Sequence, residues 1–402
     1  MNLALLSFEY PPETGYGGIG TYSYYQARAL AKLGHRVHVI AGSVENGIYH
    51  SEHEGVRVTR IKRDGWLQHL LGNAKQKRCG WFANRVETAH GAYEALVHLL
   101  DKEHFDIVEM PECGADGMVV TTLLQVPTAI KYHSPARLIM DIYDVPRMDR
   151  ELTAFAEQVA INQVDVHTSC SKFVADEVAA KMGVRDPIHV VPNGIDLELF
   201  DRDEGIDPHE RFGVPKDGVT IFFANRMEER KGVHLVGAMA LAILQKYPHA
   251  HFVLAGRDLF GYLEGRVLPA IRDRGLADRF HYLGGLDLPS VRAILKVVDI
   301  FLIPSLWENC PYSCLEAMTA GRAIVSSDCG GMPELIVDGV TGLLAQSGDA
   351  ASYVSALEQV IEDSALRERL GGAARRMVEE RLSDVSIAAL AVETYQRSLD
   401  TK

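Results

Sequence analysis

Short apolar runs alternate with helical periodicity along this chain in two consecutive series, and that alternation constrains its fold more than any other feature. The first series has strand patterns at residues 3–8, 37–41, 56–61, 107–109, 128–131 and 166–169, separated by helical patterns such as 20–33 and 84–101. The run 190–200 then gives way to a polar stretch bearing Gly and Pro, 201–218. A second series follows, with strand patterns at 219–224, 251–255, 280–283, 300–303, 323–326 and 342–345, and helices that include 233–246, 290–297 and 351–362. Such alternation is the signature of parallel α/β sheets. At 402 residues the chain is too long for one ordinary core. The pattern predicts two doubly wound domains, 1–195 and 196–382, and a terminal helix within 383–402. In sheets of this kind ligands bind beyond the carboxyl ends of the strands, where all the motifs below fall.

Composition narrows the function. Apolar content of 47% and charged content of 24% are those of a globular protein in water. No apolar run approaches bilayer-crossing length, and Met1-Asn-Leu-Ala-Leu-Leu6 reads as a strand without a basic leader or cleavage site. The expectation is a cytoplasmic enzyme. A net charge of −13 argues against nucleic-acid binding, which needs a basic surface to neutralise phosphates. The six cysteines (79, 113, 170, 310, 314 and 329) form no C-x-x-C pair, and no zinc spacing or H-E-x-x-H is present, so reduced thiols and no metal site are expected. Asp201-Arg202-Asp203 spells D-x-D, but it follows Asn193-Gly194 in a polar stretch and reads as solvated linker.

Two stretches of the second series carry chemistry. Asn225-Arg-Met-Glu-Glu-Arg-Lys-Gly232 follows a strand pattern and sets two cations, Arg226 and Lys231, five apart ahead of a helix. Cations beside a helix N-terminus suit a diphosphate, with Arg forking onto two oxygens and Lys acting as a point charge. The plainer reading is a solvated helix start, with Glu228, Glu229 and Arg230 in surface pairs. Trp307-Glu-Asn-Cys-Pro-Tyr-Ser-Cys-Leu-Glu-Ala-Met318 sets two carboxylates, Glu308 and Glu316, eight apart around a turn, a pairing that suits sugar hydroxyls. Pro311 and Ser313 place the helix start near Ser313, which makes Ser313 to Glu316 a capping box with Glu316 at N3. Glu316 therefore reads either as a helix cap or as a ligand group. Glu308, in the loop, has no such structural use.

In the first series, Gly15, Gly17 and Gly20 match G-x-G-x-x-G, the dinucleotide fingerprint. They begin several residues past the strand, with Pro11-Pro12 intervening, and Val39-Ile-Ala-Gly-Ser43 offers no acid at the end of the second strand. The alternatives are a loop whose bare amides near Gly17 and Gly18 face an anion, and an ordinary strand-to-helix connection. His133, in Tyr132-His-Ser-Pro135, is left at a strand's carboxyl end because Pro135 stops the strand.

Together with Ser326-Ser-Asp-Cys-Gly-Gly-Met-Pro-Glu334 and Asp338-Gly-Val-Thr-Gly342 in that order, these motifs resemble the retaining glycosyltransferases of family 4. The resemblance spans nearly the whole chain, most strongly 219–344 and more weakly 41–127. It implies the GT-B architecture, two Rossmann-like domains facing a central cleft, with the last helix returning to the first domain. The implied reaction transfers a hexosyl unit from a nucleotide diphosphate sugar to an acceptor hydroxyl with retained configuration and no metal. UDP is the first choice of nucleotide and GDP the second, from family frequency. In this resemblance Gly17 and Gly18 border the donor diphosphate, and His133 contacts the donor sugar. Arg226 and Lys231 neutralise the departing diphosphate. Glu308 holds hydroxyls of the transferred sugar, the turn Asn309, Cys310, Pro311 and Tyr312 lies against sugar and phosphate, and Glu316 holds the ribose. That turn departs from the commoner Gly-Phe-Gly form, and Pro311 removes one donor.

With Glu308 and Glu316 assigned to hydroxyls, no carboxylate is left as a nucleophile of the kind retaining glycosidases use. A same-face mechanism, in which the leaving phosphate takes the acceptor's proton, is what the resemblance implies. The alternatives are a sugar phosphorylase, a nucleotide-sugar hydrolase or epimerase, and, more remotely, an NAD-linked oxidoreductase resting on Gly15–Gly20. The acceptor is a glycan, a lipid-linked sugar or a small molecule. Residues 57–85 mix Arg57, Arg60, Lys62, Arg63, Lys75, Lys77, Arg78 and Arg85 with Trp66, Leu67, Leu70, Leu71, Trp81 and Phe82. This segment reads equally as a surface that docks on anionic lipid heads and as a solvated face that binds nothing.

Overall fold

A computed structural model describes residues 1–400 apart from 16, 46, 63 and 64, and leaves the side chains of 72–77 outside the description. The chain forms two compact units, Met1–Gly194 with Asp384–Lys402, and Ile195–Ser383.

The first unit is built on eight strands: β1 Asn2–Leu6, β2 Arg36–Gly42, β3 Ile48–His53, β4 Val56–Ile61, β5 Ile107–Pro111, β6 Thr128–Tyr132, β7 Val166–Ser169 and β8 Ile188–Val190. They run in the order β3-β4-β2-β1-β5-β6-β7-β8, parallel except for the antiparallel pair β3–β4. The interior strands are buried residue after residue, as parallel strands covered on both faces must be, so their sequences read as continuous apolar runs. β3 is exposed along its whole length and β8 is three residues long. Neither carries an apolar run long enough to announce a strand.

The connecting helices are α1 Gly18–Lys32, α2 Trp66–Leu100, α3 Met118–Leu123, α4 Ala136–Ile139, α5 Arg147–Ile161 and α6 Lys172–Met182. α2 begins well before the expected start at residue 84 and is not one straight rod. Gln68 N–H donates to Glu87 Oε1 at 2.9 Å, and the Trp66 and His90 rings lie 6.4 Å apart. In a straight helix residues 19 apart are about 28 Å apart, so the run doubles back. Asp149 on α5 accepts from the N–H groups of Trp81 and Phe82, as a cap does at the start of a helix. The C-terminal helix, Asp384–Asp400, packs on α1. Its Tyr395 hydroxyl donates to Glu109 on β5, which also accepts from Tyr22 of α1 at 2.6 Å.

The second unit has six parallel strands: β9 Val219–Ala224, β10 Ala250–Ala255, β11 Phe280–Tyr282, β12 Ile300–Ile303, β13 Ala323–Ser327 and β14 Leu343–Ala345. Their order is β11-β10-β9-β12-β13-β14, the doubly wound order of dinucleotide-binding sheets. Phe222, Phe223, Phe252 and Phe301 are among its fully buried side chains. Truncating any one of them to Ala costs about 3–5 kcal/mol, because the core cannot close the gap. Among the described residues no helix is long and apolar enough to cross a membrane.

Candidate active site

The strand order of the second unit reverses between β9 and β12, which opens a crevice at their carboxyl ends. The loop after β9 carries Arg226 and Lys231, and the loop after β12 carries Glu308. Leu306 N–H donates to the Arg230 carbonyl at 2.8 Å, and the Arg230 guanidinium donates to the Trp307 carbonyl at 3.3 Å, which stitches the two loops together. Gly232 makes the approach possible. Its φ is +78°, and a Cβ there would lie 2.0 Å from the Pro304 carbonyl oxygen. Gly330 does the same on the other side, since a Cβ there would lie 1.9 Å from the Glu308 carbonyl oxygen.

This crossing brings Lys231 and Glu308 into contact. Lys231 Nζ is 2.5 Å from Glu308 Oε1, and the same oxygen accepts from Ser305 Oγ at 2.8 Å. Both side chains are buried. Burial pushes Lys231 below its ordinary value, with Glu308 working against that. Burial also works to raise Glu308, but Lys231 and Arg230, with the bonds from Lys231 and Ser305, outweigh it and hold the carboxyl below the usual range. The carboxylate is therefore ionised beside the ammonium. Arg226 differs: it is exposed, with Glu228 at 3.2 Å as its ion-pair partner. Arg230 shares that Glu228 oxygen with both side chains only about a tenth exposed, so this is not the surface pairing of a solvated helix start, and it leaves Lys231 out.

The expected capping box is absent. The helix runs Tyr312–Thr319 with Pro311 as its N-cap, and no side chain caps it. Pro311 holds the extended conformation a cap residue takes, so the helix starts one residue before Ser313, and Glu316 lies beyond the first turn. Glu316 is buried, and its side chain makes no hydrogen bond or ion pair among the described residues. Burial raises it to about 7, with Arg292 acting in the opposite direction. Asn309, Cys310 and Tyr312 of the intervening turn are buried and Pro311 is half-buried.

In the first unit, His133 follows β6 and is buried. Its ring meets Tyr22 edge-on at 4.9 Å. Burial, aided by the charge of Lys131, lowers it to about 3, so the imidazole is neutral at any working pH. Gly17 precedes the first residue of α1, Gly18. A Cβ on Gly17 would lie 2.6 Å from a Glu9 carboxylate oxygen, whereas one on Gly18 would meet nothing within 4 Å. The inner face of the loop thus wraps an acid, and Gly18 keeps the open face.

Sequence reasoning overlooked Ser305, Glu112 and Glu157, and read Arg230 only as a surface-pair residue. Ser305 acts through Glu308 three residues on, Glu112 and Glu157 act through backbone N–H groups distant in sequence, and none of these three stands in a motif that would mark it. The basic segment 57–85 is more dispersed than its composition suggests. Arg57 pairs with Glu103 at 2.6 Å, and Arg60 is buried against Glu13 and the carbonyls of Tyr10, Pro11 and Gly42. Arg85 lies over the Trp81 ring. Lys62 and Arg78 are exposed, as are Trp66, Leu70 and Trp81. Arg63, Asp64 and the side chains of Lys75 and Lys77 lie outside the described residues. Asp201 of the D-x-D is held by Arg375 at 2.7 and 2.8 Å. Among the described residues no group of three or more His, Cys, Asp or Glu is placed to hold a metal ion.

The family model described as Glycosyltransferase Family 4 matches residues 16–199, and that described as Glycosyl transferases group 1 matches 207–377. Glycogen synthase of Mycobacterium tuberculosis is 24% identical over 98% of this chain and 94% of its own length. Sucrose-phosphate synthase from Thermosynechococcus elongatus superposes with a TM-score of 0.81 at 19% identity, over 100% of both chains. HepE of Anabaena, solved with UDP and glucose, gives 0.71 at 18% identity over 99% of this chain and 100% of that one. The fold is the one that GT-B glycosyltransferases share. With one family model on each half of the sequence, the chain belongs to the group 1 glycosyl transferases, glycosyltransferase family 4.

Proposed function

We propose that the protein transfers a hexosyl unit from a nucleoside diphosphate sugar, a UDP-sugar first and a GDP-sugar second, to an acceptor hydroxyl with retained anomeric configuration. The observation that carries this reading is the buried Lys231–Glu308 contact at the reversal point of the second sheet. Both hydrogen bonds to Glu308 end on Oε1, which leaves Oε2 to accept from a sugar hydroxyl. Lys231 and the exposed Arg226 then meet the diphosphate, whose charge grows as it leaves. Preorganised cations there stabilise the transition state more than the ground state. Glu316, buried without a bonded partner among the described residues, is suited to two ribose hydroxyls. The UDP and glucose bound by HepE support a nucleotide donor.

The acceptor oxygen approaches the anomeric carbon on the face from which the diphosphate departs. The bond from that carbon to the phosphate oxygen breaks, the bond to the acceptor oxygen forms, and the leaving phosphate takes the acceptor's proton. Charge neutralisation is assigned to Arg226 and Lys231, and the reading expects full turnover in the presence of a chelator. Gly18 and neutral His133 are assigned to the donor's diphosphate and sugar. The acceptor is a glycan, a lipid-linked sugar or a small molecule. A peripheral membrane contact through Trp66, Leu70, Trp81 and Arg78 belongs to the same proposal, and failure to sediment with anionic vesicles would remove it. Six free cysteines accord with a reducing, cytoplasmic setting.

Calorimetric titration with UDP, GDP, ADP and NAD, without metal, tests the core of this reading. Micromolar binding of one nucleoside diphosphate, lost in Glu316→Ala, is the expected result. Binding of NAD alone, or of nothing, would sink it. Sugar release that needs no acceptor would turn the reading toward a hydrolase, and release that needs inorganic phosphate toward a phosphorylase.

A further inference from the structure

Two carboxylates of the first unit take no part in the chemistry above, yet both are buried: Glu112, just past β5, and Glu157 on α5. Neither makes an ion pair among the described residues. Their oxygens are taken by backbone N–H groups. Glu112 accepts from His133 N–H at 2.9 Å on Oε2 and from Ser134 N–H on Oε1. Glu157 accepts from Ala136 N–H at 2.7 Å on Oε2 and from Gly114 N–H at 3.1 Å on Oε1. Every N–H that the loop 133–136 possesses is therefore bound to one of these two side chains, because Pro135 has none to offer.

Burial raises Glu112 to about 7 and Glu157, which also feels the charge of Glu112, to about 8. Two carboxylates so placed cost stability that apolar side chains of the same size would not. What they supply is geometry. Hydrogen bonds to carboxyl oxygens at a strand end and on a helix fix the backbone of a loop that has no sheet partner of its own. The loop leaving β5 is fixed with it through the Gly114 N–H. The imidazole carried by the clamped loop is buried against the Tyr22 ring.

We infer that Glu112 and Glu157 are positioning residues for sugar transfer, which clamp the 133–136 loop so that the His133 imidazole is preset at the end of β6. The inference rests on the reading of His133 as a donor-sugar contact, and its test separates the two. Release of nucleoside diphosphate from the donor found by titration is measured for Glu112→Gln, Glu157→Gln, His133→Ala and each Gln variant combined with His133→Ala. UDP affinity is measured alongside. Gln keeps the volume but turns an amide NH2 toward a backbone N–H.

Each Gln variant is expected to lower kcat about tenfold to a hundredfold, the scale of a misplacement near 1 Å, with UDP affinity unchanged. Once His133 is Ala, the same substitutions should cost less than about twofold. Equal losses in both backgrounds, or intact kcat in the single Gln variants, overturn the inference while leaving the reading of His133 in place. Normal turnover of His133→Ala overturns that reading, and the inference with it. Should Glu112→Gln not fold, Glu157→Gln, which disturbs one bond of the loop, carries the same comparison.

Discussion

At the scale of single residues, Lys231 and Glu308 cannot be treated separately. They share one buried contact, so removing either leaves the other charged and unpaired out of water. Lys231→Ala should cost about 3–5 kcal/mol of stability as well as at least a hundredfold in turnover. Lys231→Met with Glu308→Gln should recover most of that stability and none of the turnover. Thermal melts and rates on the same samples check this, and a double variant as unstable as Lys231→Ala would refute the pairing argument. Glu316 sets up a second prediction. Its carboxyl holds its proton to about pH 7 in the folded chain and to about 4.5 when exposed. The folded state binds the extra proton between these values, so this part of stability is present below pH 4.5 and is lost as pH rises to 7. The loss is roughly 3 kcal/mol. Glu316→Gln should match the wild type at pH 4.5 and exceed it at pH 8. Parallel profiles of melting temperature against pH would show that the group is not buried as described.

At the scale of elements, what matters is how loops at strand ends approach one another. The loop after β9 reaches the end of β12 only because Gly232 tolerates φ +78° and presents no Cβ to Pro304. Gly232→Ala should therefore destabilise the second unit by more than about 1 kcal/mol and weaken the Lys231–Glu308 contact together with it. A melt unchanged by this substitution would mean that the loop relaxes freely. The helix from Tyr312 illustrates the opposite lesson. A sequence signal for a capping box, Ser313 with Glu316, gave way to Pro311 in extended conformation, and Glu316 was released from a structural role. β3, exposed throughout, shows why an edge strand without a buried face escapes a reading based on apolar runs.

At the scale of the whole molecule, the chain is two compact units with separate cores, and single two-state unfolding is not the expectation. A ligand that binds only the folded second unit stabilises that unit, by about 2.7 kcal/mol at a hundred times its dissociation constant. Scanning calorimetry with UDP should raise the transition of the second unit by several degrees, and that of the first unit, to which only Gly18 is assigned for the diphosphate, by less. Equal shifts of both transitions would count against a nucleotide site built mainly on the second unit. The Tyr395–Glu109–Tyr22 bonds make the last helix part of the first unit, although nearly 200 residues of the second unit lie between them in the chain.

The sequence by itself determined the class of fold and the loops that carry the candidate site residues. Strands buried on both faces are written as continuous apolar runs, and ligand-binding loops of such sheets follow those runs directly, so Arg226, Lys231, His133 and Glu308 could be found one strand at a time. Only the tertiary structure decided which of them touch. β9 lies beside β12 and not beside β11, so Lys231 meets a residue 77 positions away. Glu112 and Glu157 stayed illegible for the same reason: their partners are backbone N–H groups at 133, 134, 136 and 114, and a backbone group looks alike at every position of a sequence.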